Sequence, residues 1–306
     1  MIDIIVNDIG DMSPDIFIGC IGYEDRSKYY FQNYIDPDLC NVMFYDYMSS
    51  GVLSYDANKS FMSSFDKMGI FSEIDEVFFY FKDLLNKNNN SKVVLDVTSF
   101  DREVIGRLMH LMFLERERIC SVCLIYCPRK FVDIDLKFDV VQSFGPVLPI
   151  FLGDASSSRH ELCLILGAGY EYGKAVGAID TLEPDNVYCF RPTGTNPKFD
   201  EFIDKANVDF NFIDNKDHII SYDLNDVDLL YYRLRRLVEA ESSRRDILIL
   251  PLGPKLFAAL SMIVGLILHP SVMIWRHSSC STNHPDSITD AIATGNILKF
   301  SFSFDN

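Results

Sequence analysis

The sequence predicts an α/β protein of two tandem Rossmann-like halves, each a three-layer α/β/α arrangement on a mostly parallel sheet. Three observations carry that prediction. Apolar runs of strand length alternate with helix-period segments, the pattern of a parallel sheet with crossover helices. The motifs of residues 1–150 recur in the same order in residues 151–306, a pseudo-repeat. Most of the runs end in glycine or charged residues, at the edge where a parallel sheet receives ligands.

In the first half, strands are expected at 16–21, 41–46, 76–80, 92–97 and 120–126, with helices at about 26–34, 54–67 and 101–117. The second half echoes the first. "CLILGAGYEYGKA" at 163–175 follows "IFIGCIGYEDRSK" at 16–28, and "NVYCFRP" at 186–192 follows "NVMFYDY" at 41–47. "DILILPLGPKL" at 246–256 follows "KVVLDVTSFDR" at 92–102, and "VMIWRH" at 272–277 follows "CLIYCPRK" at 123–130. Tyr23 and Tyr170 are 147 positions apart, as are Arg129 and Arg276; Asn41 and Asn186 are 145 apart. The join is expected near "FGPVLPIFLGDASSSRH", although 131–150 has strand-like patches of its own. "LFAALSMIVGLILHP" at 256–270 is shorter than the roughly 20 residues of a membrane span and reads as a buried helix. "YYRLRRLVEAESSRR" at 231–245 reads as an amphipathic helix rather than a nucleic-acid patch, because Glu239 and Glu241 interrupt its arginines.

The chain has 306 residues, 48% hydrophobic, with a formal net charge of −16. That charge repels phosphate backbones and anionic membranes, so neither duplex nucleic acid nor membrane is an expected partner. A small anion in a local pocket remains compatible. The start, "MIDIIVNDIGDM", lacks the features of a secretory signal, and a cytoplasmic setting is expected. Cys120, Cys123 and Cys127 lie in an apolar run without a turn, which suits buried strand cysteines rather than zinc ligands. The histidines show no metal spacing; His277 and His284 flank a polar loop. No metal and no cofactor is expected.

The strand ends select the candidate ligand-binding residues. In the first half these are Gly22, Tyr23, Asp25, Arg26 and Ser27, then Thr98, Ser99 and Arg102, then Arg129. In the second they are Gly169, Tyr170 and Glu171, then Arg191, Gly253, Lys255 and Arg276. The arginines and lysine would hold anionic groups and the tyrosines could stack on a base. "GAGYEYG" has its third glycine one residue too late for a dinucleotide fingerprint, and Arg191 stands where a ribose-binding acid would. Glu24 and Asp96 are the candidate general bases. Ser99 is expected to cap the helix that follows, with Asp101 and Glu103 in its first turn.

The run Asp96-Val97-Thr98-Ser99-Phe100-Asp101-Arg102 after an apolar strand resembles the strand-turn-helix signature of CARF-like Rossmann domains, and "FIGCIGYEDRS" stands at that family's first ligand loop. Phe100 and Asp101 depart from the glycines usual there, and the second half lacks the Asp-Thr pair. The resemblance implies cyclic-oligonucleotide binding in microbial defence, and its SAVED relatives fuse two such domains in one chain. Three functions stay open: a nucleotide or phosphoryl-ligand sensor acting through a protein partner or homo-oligomer, a nucleotide or nucleoside hydrolase or transferase using Glu24 or Asp96, and a structural subunit of a complex.

Overall fold

The computed structural model describes residues 2–7, 13–132, 141–154, 161–171, 173–194, 196–279 and 290–305. They fall into two compact units, one within Met1–Lys130 and Ser281–Asn306, the other within Phe131–Cys280. The first unit runs β1 (Asp3–Val6), β2 (Ile16–Ile21), α1 (Tyr29–Tyr34), β3 (Asn41–Asp46), α2 (Tyr55–Met62), β4 (Met68–Phe71), α3 (Ile74–Lys87), β5 (Ser91–Asp96), α4 (Arg102–Leu114) and β6 (Ile119–Tyr126). The second runs β7 (Val141–Pro146), β8 (Leu162–Gly167), α5 (Lys174–Leu182), β9 (Asn186–Thr193), α6 (Pro197–Ala206), β10 (Ile219–Asp223), α7 (Val227–Ser242), β11 (Asp246–Pro251), α8 (Lys255–Ile267) and β12 (Val272–Ser279). The chain then returns to the first unit with β13 (Leu298–Asp305).

The α/β class and the mostly parallel sheets follow the sequence closely. The first sheet has the order β1-β13-β6-β5-β2-β3-β4, parallel from β6 to β4, with β13 antiparallel to both its neighbours. The second has the order β10-β9-β8-β11-β12-β7, parallel except for β7. In each sheet the five parallel strands lie third, second, first, fourth, fifth, and an antiparallel strand flanks the fifth. The order reverses between the first and fourth strands, at β2/β5 and at β8/β11. A parallel strand covered on both faces is apolar throughout, and all six residues of β2 are buried.

Two expectations differ from the structure. The run at 76–80, expected as a strand, lies inside α3. Val77, Phe81, Leu84 and Leu85 are buried at helical spacing while Phe79 is 75% exposed, so the continuous apolarity is one helix face plus an outward phenylalanine. The strand that fills the place is β4, eight residues earlier. The expected join at 150/151 also differs from the pairing. β7 already pairs with β12, and β13 pairs with β6 rather than with the second sheet. Part of the proposed linker, 155–160, lies outside the described residues, as do His284 and Cys280.

The helix expected at 256–270 is α8, in which every residue from Leu256 to Ile267 is buried. Among the described residues no helix is long and apolar enough to cross a membrane. The arginine-rich segment lies on α7 and its approach to β11, with Val227, Leu230, Tyr231, Leu234 and Val238 buried. The core of the first unit stacks Phe17, Phe31 and Phe44, with Phe31 and Phe44 edge to face at 5.2 Å.

β13 places Phe300 and Phe302 in the core and supplies the partner for the outer edge of β6. Deleting residues 298–305 is expected to abolish amide-exchange protection in β5 and β6 while β8 and β11 stay protected. Retained protection in β6 would contradict this role.

Candidate functional site

The candidate site of the first unit forms where β2 and β5 end side by side. After Ile21 the chain passes through Gly22, Tyr23 and Glu24 into a short 3-10 turn, Asp25–Lys28. A Cβ on Gly22 would lie 3.1 Å from the Cβ of Ser99, so the two loops meet closely and a side chain there would press on Ser99. Ser99 donates to Glu24 Oε2 at 3.3 Å. Asn58, fully buried on α2, donates to the carbonyls of Gly22 at 2.9 Å and Glu24 at 2.8 Å, and its Oδ1 accepts from Lys28 at 2.9 Å. Lys28 also pairs with Asp25 at 2.6 Å. The Gly22 amide donates to Ser27 Oγ at 3.3 Å.

Arg26 is 5% exposed. Its guanidinium pairs with Glu24 at 3.0 Å, donates to the carbonyl of Cys127 at 2.9 Å, and lies 5.5 Å from the centre of the Tyr126 ring. Burial alone would depress its pKa, but Glu24 and Tyr126 more than offset that, and it ends above the ordinary arginine value. Burial, then the charge of Glu24, pushes the Tyr23 phenol up to about 12. Tyr23 packs against the first core cluster.

Asp96 and Thr98 lock the end of β5. Asp96 Oδ1 accepts from the Thr98 amide at 3.0 Å, and Thr98 Oγ1 accepts from the Cys127 amide at 2.9 Å; both residues are buried. The cap of α4 is Asp101, which accepts from the Val104 amide at 2.9 Å, not Ser99 as expected from sequence; Ser99 is turned to Glu24 instead. Tyr47, just past the end of β3, reaches across, donating to Asp101 Oδ2 at 3.0 Å and accepting from the Asp101 amide at 2.8 Å. Asp46, at the end of β3, accepts from Tyr55 at 2.5 Å and the Met48 amide at 2.9 Å, and pairs with Lys59 at 3.0 Å. Burial raises its pKa, and these three partners together hold it below the usual carboxylate value. Arg102, half-buried, opens α4, and Arg129, half-buried after β6, forms an isolated bridge with Ala293.

The second unit repeats part of this arrangement. Asn207, also buried, donates to the carbonyl of Gly169 at 3.0 Å, as Asn58 does to Gly22. Both oxygens of Glu171 accept from the Gly253 amide at 3.2 Å. Gly253 has φ +75°, and a Cβ there would sit 2.1 Å from the Ala168 carbonyl oxygen, so only glycine fits. Tyr170 stacks on Phe199 at 5.7 Å. Arg191 makes a two-pronged pair with Asp204, at 2.6 and 2.8 Å, which raises its pKa. Lys255 begins α8 and Arg276 lies on β12 opposite Gly145.

The structure thus joins Gly22, Glu24, Asp25, Arg26, Ser27 and Ser99 in one network, with Asp96 and Thr98 beside it through Cys127. In the second unit it joins Gly169, Glu171 and Gly253, whereas Arg191 is paired outward to α6. Sequence reasoning missed Asn58, Asn207, Tyr47 and Asp290. Asp290 accepts from the Asp25 amide at 2.8 Å and from Ser54 Oγ at 2.5 Å. Only Asn58 had a faint sequence signal, as a polar residue on the inward face of an amphipathic segment. No protein-family model matches the chain, and no curated protein matches it either. Among the described residues no three histidine, cysteine or acidic side chains are grouped as metal ligands.

Asn58→Ala leaves two buried carbonyls without their donor, and is expected to cost about 2–4 kcal/mol in urea unfolding. A loss below about 0.5 kcal/mol would show that Asn58 does not hold the loop. Tyr23 gives a pH signature. Its folded pKa lies above the unfolded value, so its contribution is complete below pH 10 and is lost as the pH rises towards 12. A decline of about 2–3 kcal/mol over that interval is expected in the wild type and absent in Tyr23→Phe.

Proposed function

We propose that the chain is a cytoplasmic sensor of paired, repeated α/β halves that binds a small anionic, nucleotide-like molecule at the carboxyl edge of the first sheet. One observation carries the reading. Of the twelve buried polar or charged residues among those described, six gather at that edge: Arg26, Ser27, Asp46, Asn58, Asp96 and Thr98. Burying charge costs stability unless it is fully paired, so a concentration of buried charged and polar groups at one edge marks it out from the apolar remainder of the core. The edge is also the reversal point of strand order, where ligands bind in open α/β sheets.

In this reading Arg26, fixed by Glu24 and Cys127, is a positioning residue, and the ligand contacts fall to groups at the rim. Arg102 at the start of α4 and Arg129 after β6 hold anionic groups, and Ser99 donates to the ligand by exchanging its bond with Glu24. Output passes through a protein partner or a second copy of the chain. A setting in microbial defence rests on the CARF-like resemblance of residues 96–102.

The test is a thermal-shift and native mass-spectrometry screen against mono-, di- and cyclic nucleotides. At least one is expected to raise Tm with rising concentration, as mass action requires, without turnover. Arg102→Ala is expected to weaken that binding on the order of tenfold with Tm of the free protein unchanged. Product formation would replace the sensor with an enzyme using Glu24 or Asp96. The absence of any stabilisation would leave a structural subunit.

A further inference from the structure

The segment between β3 and α2 has a property that packing does not require. Met48 has φ 49° and Leu53 φ 43°, both in the left-handed region that bulky side chains avoid. Both side chains point into solvent, Met48 at 61% and Leu53 at 41% exposure. The strain therefore serves no burial of these two residues. The backbone around them is held firmly. The Met48 amide donates to Asp46, the Val52 amide to the Ser49 carbonyl, and the Ser54 amide to the Tyr23 carbonyl at 3.0 Å. Ser54 Oγ is bound to Asp290. Tyr47, half-buried at the start of the segment, has its ring fixed by two hydrogen bonds to Asp101 and by an edge-to-face contact with Tyr45 at 4.8 Å. A rigid aromatic ring and two strained, solvent-exposed apolar side chains thus lie on a segment tied to Tyr23 and Asp101, chain neighbours of Glu24 and Ser99.

We infer that residues 47–53 form the subsite for a flat, apolar part of the ligand, a nucleobase, whose phosphorylated part lies towards Ser99 and Arg102. The inference rests on the nucleotide-like reading above and specifies which part of the ligand each side of the site takes. Strain that persists at a rigid, exposed loop is expected where function, not packing, retains it. Stacking on an aromatic ring is indifferent to the identity of the base, because every base has a π-face. Tyr47 remains an uncharged phenol well beyond the ordinary tyrosine range, through burial and the nearby Asp101 carboxylate, so its face stays a neutral platform.

The test compares AMP with ribose 5-phosphate, which lacks only the base, by calorimetric titration of the full chain. Wild-type protein is expected to bind AMP on the order of tenfold more tightly than ribose 5-phosphate. Met48→Gly and Leu53→Gly relieve the left-handed strain, and each is expected to raise Tm by about 2 °C. The same variants are expected to erase most of the preference for AMP while leaving ribose 5-phosphate binding unchanged. A rise in stability joined to a loss of base preference is a combination that a purely structural loop would not give. Equal binding of the two probes by the wild type would overturn the inference and leave the phosphate site standing. Glycine variants that lower Tm, or that keep the preference for AMP, would also overturn it. Wild-type protein that binds neither probe would overturn this inference, and the fate of the nucleotide reading itself would then rest on the wider nucleotide screen above.

Discussion

In each unit the first and fourth parallel strands end against one another, and a carboxylate holds them there. Glu24 accepts from Ser99 across the β2/β5 edge; Glu171 accepts from Gly253 across β8/β11. A buried asparagine completes the device by taking the carbonyl of the glycine two residues before the carboxylate, Asn58 for Gly22 and Asn207 for Gly169. The Gly-Tyr-Glu triplet therefore has a physical task in both places. The glycine permits contact between loops, the tyrosine packs against the adjoining core, and the glutamate ties the strand ends. Loosening that tie would free the loops that carry the candidate site residues.

The two units use the tie differently. In the second, Glu171 meets a backbone amide directly, and Gly253 leaves no space beside it. In the first, Glu24 divides its oxygens between Ser99 and a buried arginine, and Arg26 extends the network to the end of β6. That extension brings three strand ends, those of β2, β5 and β6, into one hydrogen-bonded system and concentrates buried charge at one edge. The asymmetry agrees with the sequence, where Asp25-Arg26-Ser27 has no counterpart after Glu171.

Much of this was legible in the sequence, for a physical reason. Strands covered on both faces read as unbroken apolar runs that stop where the chain leaves the sheet, so Ile21, Asp46, Asp96 and Tyr126 were visible as strand ends. The echo of Gly-Tyr-Glu located both loops. Other features were hidden. "EVFFYF" reads as a strand because outward Phe79 fills the gap in the helical period. Asp290 lies 265 positions from the amide it binds, a separation with no local signature. Ser99 and Asp101 are equally good caps by composition, and the choice is made by Tyr47 on one and Glu24 on the other.

The chain leaves the first unit and comes back to it at adjacent points. Lys130 donates to the Ile292 carbonyl, Thr294 donates to that of Pro128, and the Arg26 amide donates to Ala291. β13 then slots between β6 and β1. On the ribosome this sets an unusual order of events. The second unit's strands are all made before the first unit's sheet can close, and β6 must wait with an unpaired edge while about half the chain is synthesised. The loops around Arg26 also lack their Ala291 and Asp290 partners during that interval. The candidate site is thus among the last parts of the molecule to be completed, and its assembly reports that the whole chain has been made through β13.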